Sequence, residues 1–166
     1  IPVNHKNSLF LMLLAISLIV TAVELLSARG SDNLLIPISA ALSTQIFLQA
    51  SPALFDQILL AMLLAIIVSV LSYYARFLTL SGSVMVFLLA TAVFGLGGLK
   101  WTIPILTFFI LSSILSKAGK GIKNKFKDTF EKSGVRDYGQ VLANGGIGGI
   151  LVIAQAFYDL SLIHIS

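Results

Sequence analysis

The residues able to do chemistry stand in three clusters. The first runs from the end of an apolar stretch into a short loop: Glu24, then Arg29, Asp32 and Asn33. Two carboxylates, an amide and a guanidinium at such a mouth can hold Mg²⁺, which takes oxygen ligands and usually keeps phosphate company. The same residues have a plainer use, with Asp32 and Asn33 capping a helix and Glu24 paired with Arg29. The second cluster is Arg76 followed by Thr79-Leu80-Ser81-Gly82-Ser83. A hydroxyl-rich turn that opens a helix presents backbone N–H groups that attract phosphate; Ser81 or Ser83 serves equally as a plain N-cap. The third cluster is the densest: Arg136-Asp137, then Gln140 and Asn144, then Gly145-Gly146 and Gly148-Gly149. Gln140 and Asn144 are four apart and share a helix face. Buried amides in a membrane span need partners, so polar groups aligned ahead of paired glycines read as the lining of a site. The run is not a GxxxxGK[ST] P-loop, and no strand precedes it to make a dinucleotide fingerprint.

The elements that must carry these clusters are apolar. Of the 166 residues, 57% are hydrophobic and 11% charged, against roughly 45–50% and about 25% in soluble domains. Together with a mean hydropathy of +0.99, this excludes a disordered tail, a nucleic-acid-binding basic domain and an ordinary soluble enzyme. Six apolar runs, 9–27, 34–50, 57–74, 83–97, 101–116 and 141–158, predict an all-α polytopic integral membrane protein of about six transmembrane helices. The fourth and fifth are short and are separated by Gly97-Gly98-Leu99-Lys100. They are either two short spans or one helical hairpin that bends within the membrane. Pro104 falls in the first turn of the fifth, where its missing N–H costs little. Gly145 and Gly149 form a GxxxG pair that lets another helix approach closely, or else bend their own helix.

Charge placement orients the chain. Ten of the 18 charged residues lie between Lys117 and Asp137, and seven of those ten are basic. Ile122, Phe126 and Phe130 recur every four residues among the lysines, the pattern of an amphipathic helix lying on anionic headgroups. The loops at 28–33, 76–82 and 117–140 then fall on the cytoplasmic side, with nine basic residues inside and two outside. The absence of cysteine excludes disulfides and thiolate chemistry. His5 and His164 stand near opposite ends. The chain opens on Ile1-Pro2 and closes just after an apolar run, and it is expected to be a fragment of a longer protein.

Arg136-Asp137 with Gln140-Val141-Leu142-Ala143-Asn144-Gly145-Gly146 resembles the signature of the integral-membrane family that includes the phytyl-phosphate kinase of tocopherol synthesis. Leu78-Thr79-Leu80-Ser81-Gly82, the glycine-interrupted span to Gly98, Phe108-Phe109, Ser112-Ser113 and the stretch 126–132 are similar in order, so the resemblance covers about 57–159. Upstream, Ala22-Val23-Glu24-Leu25-Leu26 and Ser31-Asp32-Asn33 through Pro37 resemble the C-terminal end of the CTP-dependent polyprenol (phytol and dolichol) kinases. The two resemblances imply a junction of domains, 1–52 and 53–166, the second carrying the basic loop 117–137. They imply a phosphotransferase acting on an isoprenoid alcohol or its monophosphate, with CTP as donor and Mg²⁺. They assign Arg136, Asp137 and Asn144 to catalysis, and Arg76, Ser81, Gly82, Lys117, Gln140, Gly145 and Gly146 to nucleotide or substrate. Glu24 and Asp32 would hold Mg²⁺. The family's further acidic segment falls in the remainder of the chain, which is an expected partner of this one alongside the lipid bilayer; nucleic acid is not.

Two other functions fit the composition. Secondary transporters and channels also use glycine-broken helices with polar residues at depth, although here the polar residues gather at one membrane face. A non-catalytic scaffold would use the basic helix for lipid and make Gln140 and Asn144 dispensable.

Overall fold

The computed structural model describes residues 5–28, 30–118 and 135–163, without the side chains at 5–7, 113, 116–118 and 160–163. The proposed basic surface helix and the side chain of Lys117 lie outside the described residues, as does Arg29. Among the described residues there are five helices: α1 His5–Leu26, α2 Asp32–Gln49, α3 Pro52–Tyr74, α4 Leu80–Ala118 and α5 Tyr138–Ile163. There is no strand among the described residues, and the only ladder contact there is a single bridge between Leu78 and Arg136. Among the described residues, four segments are long and apolar enough to cross a membrane: Ser8–Leu26, Pro52–Tyr74, Leu80–Ser112 and Tyr138–Asp159. Against the six expected spans, α2 does not reach that threshold, and the fourth and fifth are the two halves of α4.

The halves of α4 meet at Gly98, whose φ of 60° and ψ of −159° lie outside any helix. That region is open essentially to glycine alone. The two arms, 80–97 and 99–118, fold back on each other. Arg136 shows this directly, because its carbonyl accepts from Thr79 just ahead of the first arm while its guanidinium reaches Ser112 in the second. Two short antiparallel spans and a hairpin that bends within the membrane share this fold-back.

A broken helix leaves its last carbonyls without intrahelical donors. The Gln57 amide of α3 repairs two of them, donating to Phe94 O and Gly95 O at 3.1 Å each. Beside this repair Gly95 lies against Ala61 and Ile58, which brings α3 and the first arm close together. On the other flank, α5 presents its glycines to both arms. A Cβ on Gly145 would strike Leu89, and one on Gly149 would lie 2.7 Å from the same side chain. Gly148 faces Ile105 of the second arm. The GxxxG pair is thus a seat for Leu89, as close packing between membrane helices requires where no hydrophobic drive acts.

α1 and α2 join this bundle through one apolar cluster that includes Ala15, Ala22, Phe47, Ile58, Met62 and Phe87. Phe47 and Phe55 meet edge to face at 5.6 Å across the α2–α3 turn. Most leucines of α1 and α3 point outward, Leu63 and Leu71 at 57% and 62% exposure; in water that would be a liability, and in lipid it is the expected exterior.

Candidate functional site

The second and third clusters of the sequence form one site. Leu78 and Arg136 pair in a short parallel bridge. The Arg136 N–H donates to Phe77 O and the Thr79 N–H donates to Arg136 O, both at 2.9 Å. Immediately after the bridge each segment turns into a helix, α4 and α5 respectively, so two helix N-termini open side by side. Thr79 Oγ1 caps the first by accepting from the Gly82 N–H at 3.1 Å. Asp137 Oδ1 caps the second by accepting from the Gln140 N–H at 2.8 Å. Such a cap contributes about 0.5–2 kcal/mol. The remaining first-turn N–H groups have no intrahelical acceptor, and the two positive helix ends favour an anion.

Gly82 makes this junction possible. A Cβ there would collide with the Arg136 carbonyl oxygen, so the glycine serves backbone contact. Ser81 bonds to Thr79 through their hydroxyls at 3.1 Å. Ser83 is buried and turns back to Leu80 O. The cap of α4 is therefore Thr79, not Ser81 or Ser83, because Thr79 precedes the first helical residue and its hydroxyl reaches N3.

Arg136 is the site's central side chain. Its Nη2 donates to Ser112 Oγ at 3.3 Å, and its guanidinium carbon lies 5.4 Å from the Phe109 ring centroid, within cation–π range. Its Nη1 is buried with no hydrogen-bond partner among the described residues. A buried unpaired donor costs about 1–3 kcal/mol, more when charged, and a group of this kind in a native fold calls for a partner. Arg136 lines a cavity of about 340 Å³ enclosed by α3, both arms of α4 and α5. The rest of the lining is apolar except for Asn144 and for Thr102, which bonds to Gly98 O. Ala61, Ala65 and Val93 form closed wall, whereas Leu64, Val68, Leu99, Leu106, Phe108 and Asn144 are exposed lining residues that open the cavity sideways.

The other expected residues are placed as follows. Asn144 and Gly145 line the cavity, but Gln140 and Gly146 do not; the four-residue spacing did not carry Gln140 to the lining. Asp137 is committed through Oδ1 to its cap. Arg76 is exposed and holds a φ of 56°, in the left-handed region. It ends α3 in a Schellman turn, with the Arg76 N–H on Tyr73 O and the Phe77 N–H on Ser72 O, at the position where glycine is usual. Glu24 is exposed at the end of α1 and Asp32 half-buried at the start of α2. Ser31 occupies the N-cap position of α2 without a side-chain cap bond, so Asp32 sits in the first helical turn instead of capping. No group of three or more His, Asp or Glu side chains that could hold a metal ion occurs among the described residues.

Three contacts were not foreseen in the sequence. Phe109 and Ser112, which enter the family resemblance, lie three apart on one face of the second arm, and nothing in their pattern marked them as partners of Arg136. Gln57 stood at the start of a span with no sign that a broken helix faced it. At that same end, Trp101 Nε1–H donates to Gln155 Oε1 at 3.0 Å, tying the second arm to α5.

Fold and site together define an all-α integral membrane protein with a largely apolar cavity beside Arg136 and two paired helix N-termini. The chain belongs to the integral membrane protein DUF92 family, whose model matches residues 63–165. It is also 33% identical over 97 residues to Protein PGR of Arabidopsis thaliana, a match covering 58% of this chain and 33% of that protein. The chain thus spans about a third of the length of this relative. No solved structure matches it.

Proposed function

We propose that the chain is part of a membrane-embedded phosphotransferase that phosphorylates an isoprenoid alcohol or its monophosphate. The observation that carries this reading is Arg136: a guanidinium beside a largely apolar cavity, with one buried nitrogen that has no hydrogen-bond partner among the described residues. That pairing of a fixed cation with an oily slot matches a substrate with an anionic head and a hydrocarbon tail. Phosphoryl transfer asks the protein mainly for positioning and charge neutralisation. Arg136 supplies a forked donor suited to a phosphate, and the N-termini of α4 and α5 supply backbone dipoles beside it. Asp137 acts as a positioning residue, since its cap fixes where α5 starts. Asn144 faces the cavity and orients the head; Arg76 and Lys117 belong to the phosphate-binding rim.

The donor in this reading is CTP with Mg²⁺, arriving from the cytoplasm at the face that holds 76–82 and 136–140. Mg²⁺ at such sites takes one or two carboxylates plus substrate phosphates. Glu24 and Asp32 remain the carboxylates proposed for it. Neither is bonded to Arg136 or Arg76 among the described residues, and the described residues offer no larger acidic group, so no step is derived through the ion.

The break at Gly98 favours a second reading, a transporter or channel segment, because such proteins bind ions on freed carbonyls of broken helices. Gln57 already occupies two of the carbonyls freed here, which counts against it. The full-length protein in lipid nanodiscs, given labelled CTP and phytol, phytyl phosphate or geranylgeranyl phosphate, decides between the two. Label in a prenyl phosphate product supports the phosphotransferase. No label in any acceptor, together with ion or solute flux in liposomes, overturns it.

A further inference from the structure

We infer that the second arm of α4 is a lateral gate, which swings from the Gly98 break and admits a lipid hydrocarbon chain from the bilayer into the cavity. The inference stands apart from the phosphotransferase reading and needs no anionic head. Its first support is an asymmetry of packing. Every residue of the first arm, 80–97, is buried or half-buried except Leu80, whereas no described side chain of 99–115 is buried. The first arm belongs to a frame with α3 and α5: Gly95 lies against Ile58 and Ala61, and Leu89 sits on Gly145 and Gly149. The second arm is tied to that frame along a seam on the α5 side. Trp101 donates to Gln155, Ile105 lies over Gly148, and Phe109 and Ser112 receive the Arg136 guanidinium. These four residues are spaced by four, four and three, so they form a single stripe on one helix face.

The break is built so that turning there costs few hydrogen bonds. Phe94 O and Gly95 O, freed at the end of the first arm, accept from Gln57 of α3, so they stay satisfied wherever the second arm lies. The second arm needs little from the first: Pro104 has no N–H to return to a preceding carbonyl, and the Thr102 hydroxyl covers Gly98 O. Apart from Asn144 on α5, the exposed lining of the cavity belongs to α3 and this arm. Leu64 and Val68 form one lip, Leu106 and Phe108 the other, all exposed. Both lips lie in segments able to span the membrane, Pro52–Tyr74 and Leu80–Ser112, so the medium at the opening is bilayer hydrocarbon. The walls behind them, Ala61, Ala65 and Val93, offer that hydrocarbon apolar surface. Leu106 stands eight residues past Gly98, or about 12 Å along the helix. A hinge rotation of about 20° therefore parts the lips by about 4 Å, one carbon–carbon contact distance.

The test is double electron–electron resonance on the full-length protein in phosphatidylcholine nanodiscs. Spin labels on Leu64→Cys and Leu106→Cys read the lips; labels on Leu71→Cys and Ile150→Cys, outward positions of α3 and α5, read the frame. The lip pair is expected to give a broad or two-peaked distance distribution and the frame pair a narrow one. Ser112→Val removes the tie far from the hinge and should move the lip pair outward by about 4 Å while the frame pair stays. Phe109→Leu, which takes the ring from beside Arg136, should act in the same direction if Ser112→Val does not fold. Trp101→Phe frees a tie only three residues from Gly98 and should move the lips less. Nanodiscs made with phosphatidylcholine carrying a mid-chain diazirine identify the occupant. Label is expected on the buried Ala65 and Val93 as well as on the lips, and more of it on those two in Ser112→Val. A lip pair as narrow as the frame pair and unmoved by either variant overturns the inference. So do equal movements of both pairs, label confined to the lips, and label on Ala65 and Val93 that does not rise when the tie is removed.

Discussion

Gly82→Ala should damage this protein far more than Gly139→Ala, although both glycines stand in the first turn of a helix beside the same site. The methyl added at Gly82 meets the Arg136 carbonyl oxygen, a backbone atom that cannot rotate away. Relief requires the start of α4 and the Arg136 segment to separate, which disrupts the Thr79 N–H to Arg136 O and Arg136 N–H to Phe77 O bonds. Two hydrogen bonds at about 0.5–1.5 kcal/mol each, with overpacking strain of about 1–3 kcal/mol, give a loss of roughly 2–6 kcal/mol. At about 2–4 °C per kcal/mol for a chain of this size, the midpoint of thermal unfolding falls by roughly 4–24 °C. At Gly139 the nearest atom to an added Cβ is Asp137 Oδ1 at 3.5 Å, an ordinary contact, so helix propensity dominates and alanine gains up to about 1 kcal/mol. Thermal unfolding of the detergent-solubilised protein, followed by the fluorescence of Trp101, compares the two. Equal midpoints for the two variants would refute the close backbone approach of α4 and the Arg136 segment.

Other perturbations separate packing from chemistry. Arg76→Gly relieves a left-handed non-glycine residue and should stabilise the fold by about 1–2 kcal/mol; a simultaneous fall in phosphotransfer would show that the side chain works at the rim. Leu89→Ala and Gly149→Ala should couple by about 0.5–3 kcal/mol in a double-mutant cycle, because the smaller residue at 89 makes room for the methyl at 149. Gln57→Leu leaves Phe94 O and Gly95 O without their donor and should cost about 1–3 kcal/mol, read as faster proteolysis near Gly98. Arg136→Lys keeps the charge but loses the fork and the Phe109 stacking, and should weaken phosphate binding by about tenfold or more in a titration with alkyl phosphate.

How much of this was legible differs by element. The runs at 9–27, 57–74 and 141–158 reappear as Ser8–Leu26, Pro52–Tyr74 and Tyr138–Asp159, because segments that are apolar all round announce themselves by length alone. The break at Gly98 was legible as glycines between two short runs, but the fold-back of its arms needed the contacts that Arg136 makes with Thr79 and Ser112. α2 looked like a span yet carries Asp32, Pro37 and Gln45 among its apolar residues, which hold its hydropathy down. The candidate residues were legible as types, and the junction between them was not. A single bridge between Leu78 and Arg136 has no periodicity to betray it, and a glycine placed for a distant carbonyl looks like any other glycine. The role of Gly145 and Gly149 was open between packing and bending until Leu89 was seen seated on them.

The most direct test of the central claim is the rate of CTP-dependent transfer to phytyl or geranylgeranyl phosphate by the full-length protein in nanodiscs, measured for wild type and Arg136→Gln. Losing a charged hydrogen bond to the acceptor phosphate removes about 1.5–3 kcal/mol, so the rate should fall about tenfold to a hundredfold or more, with unfolding midpoints that stay close. A wild-type protein that transfers nothing, or an Arg136→Gln protein that keeps the wild-type rate, would contradict it.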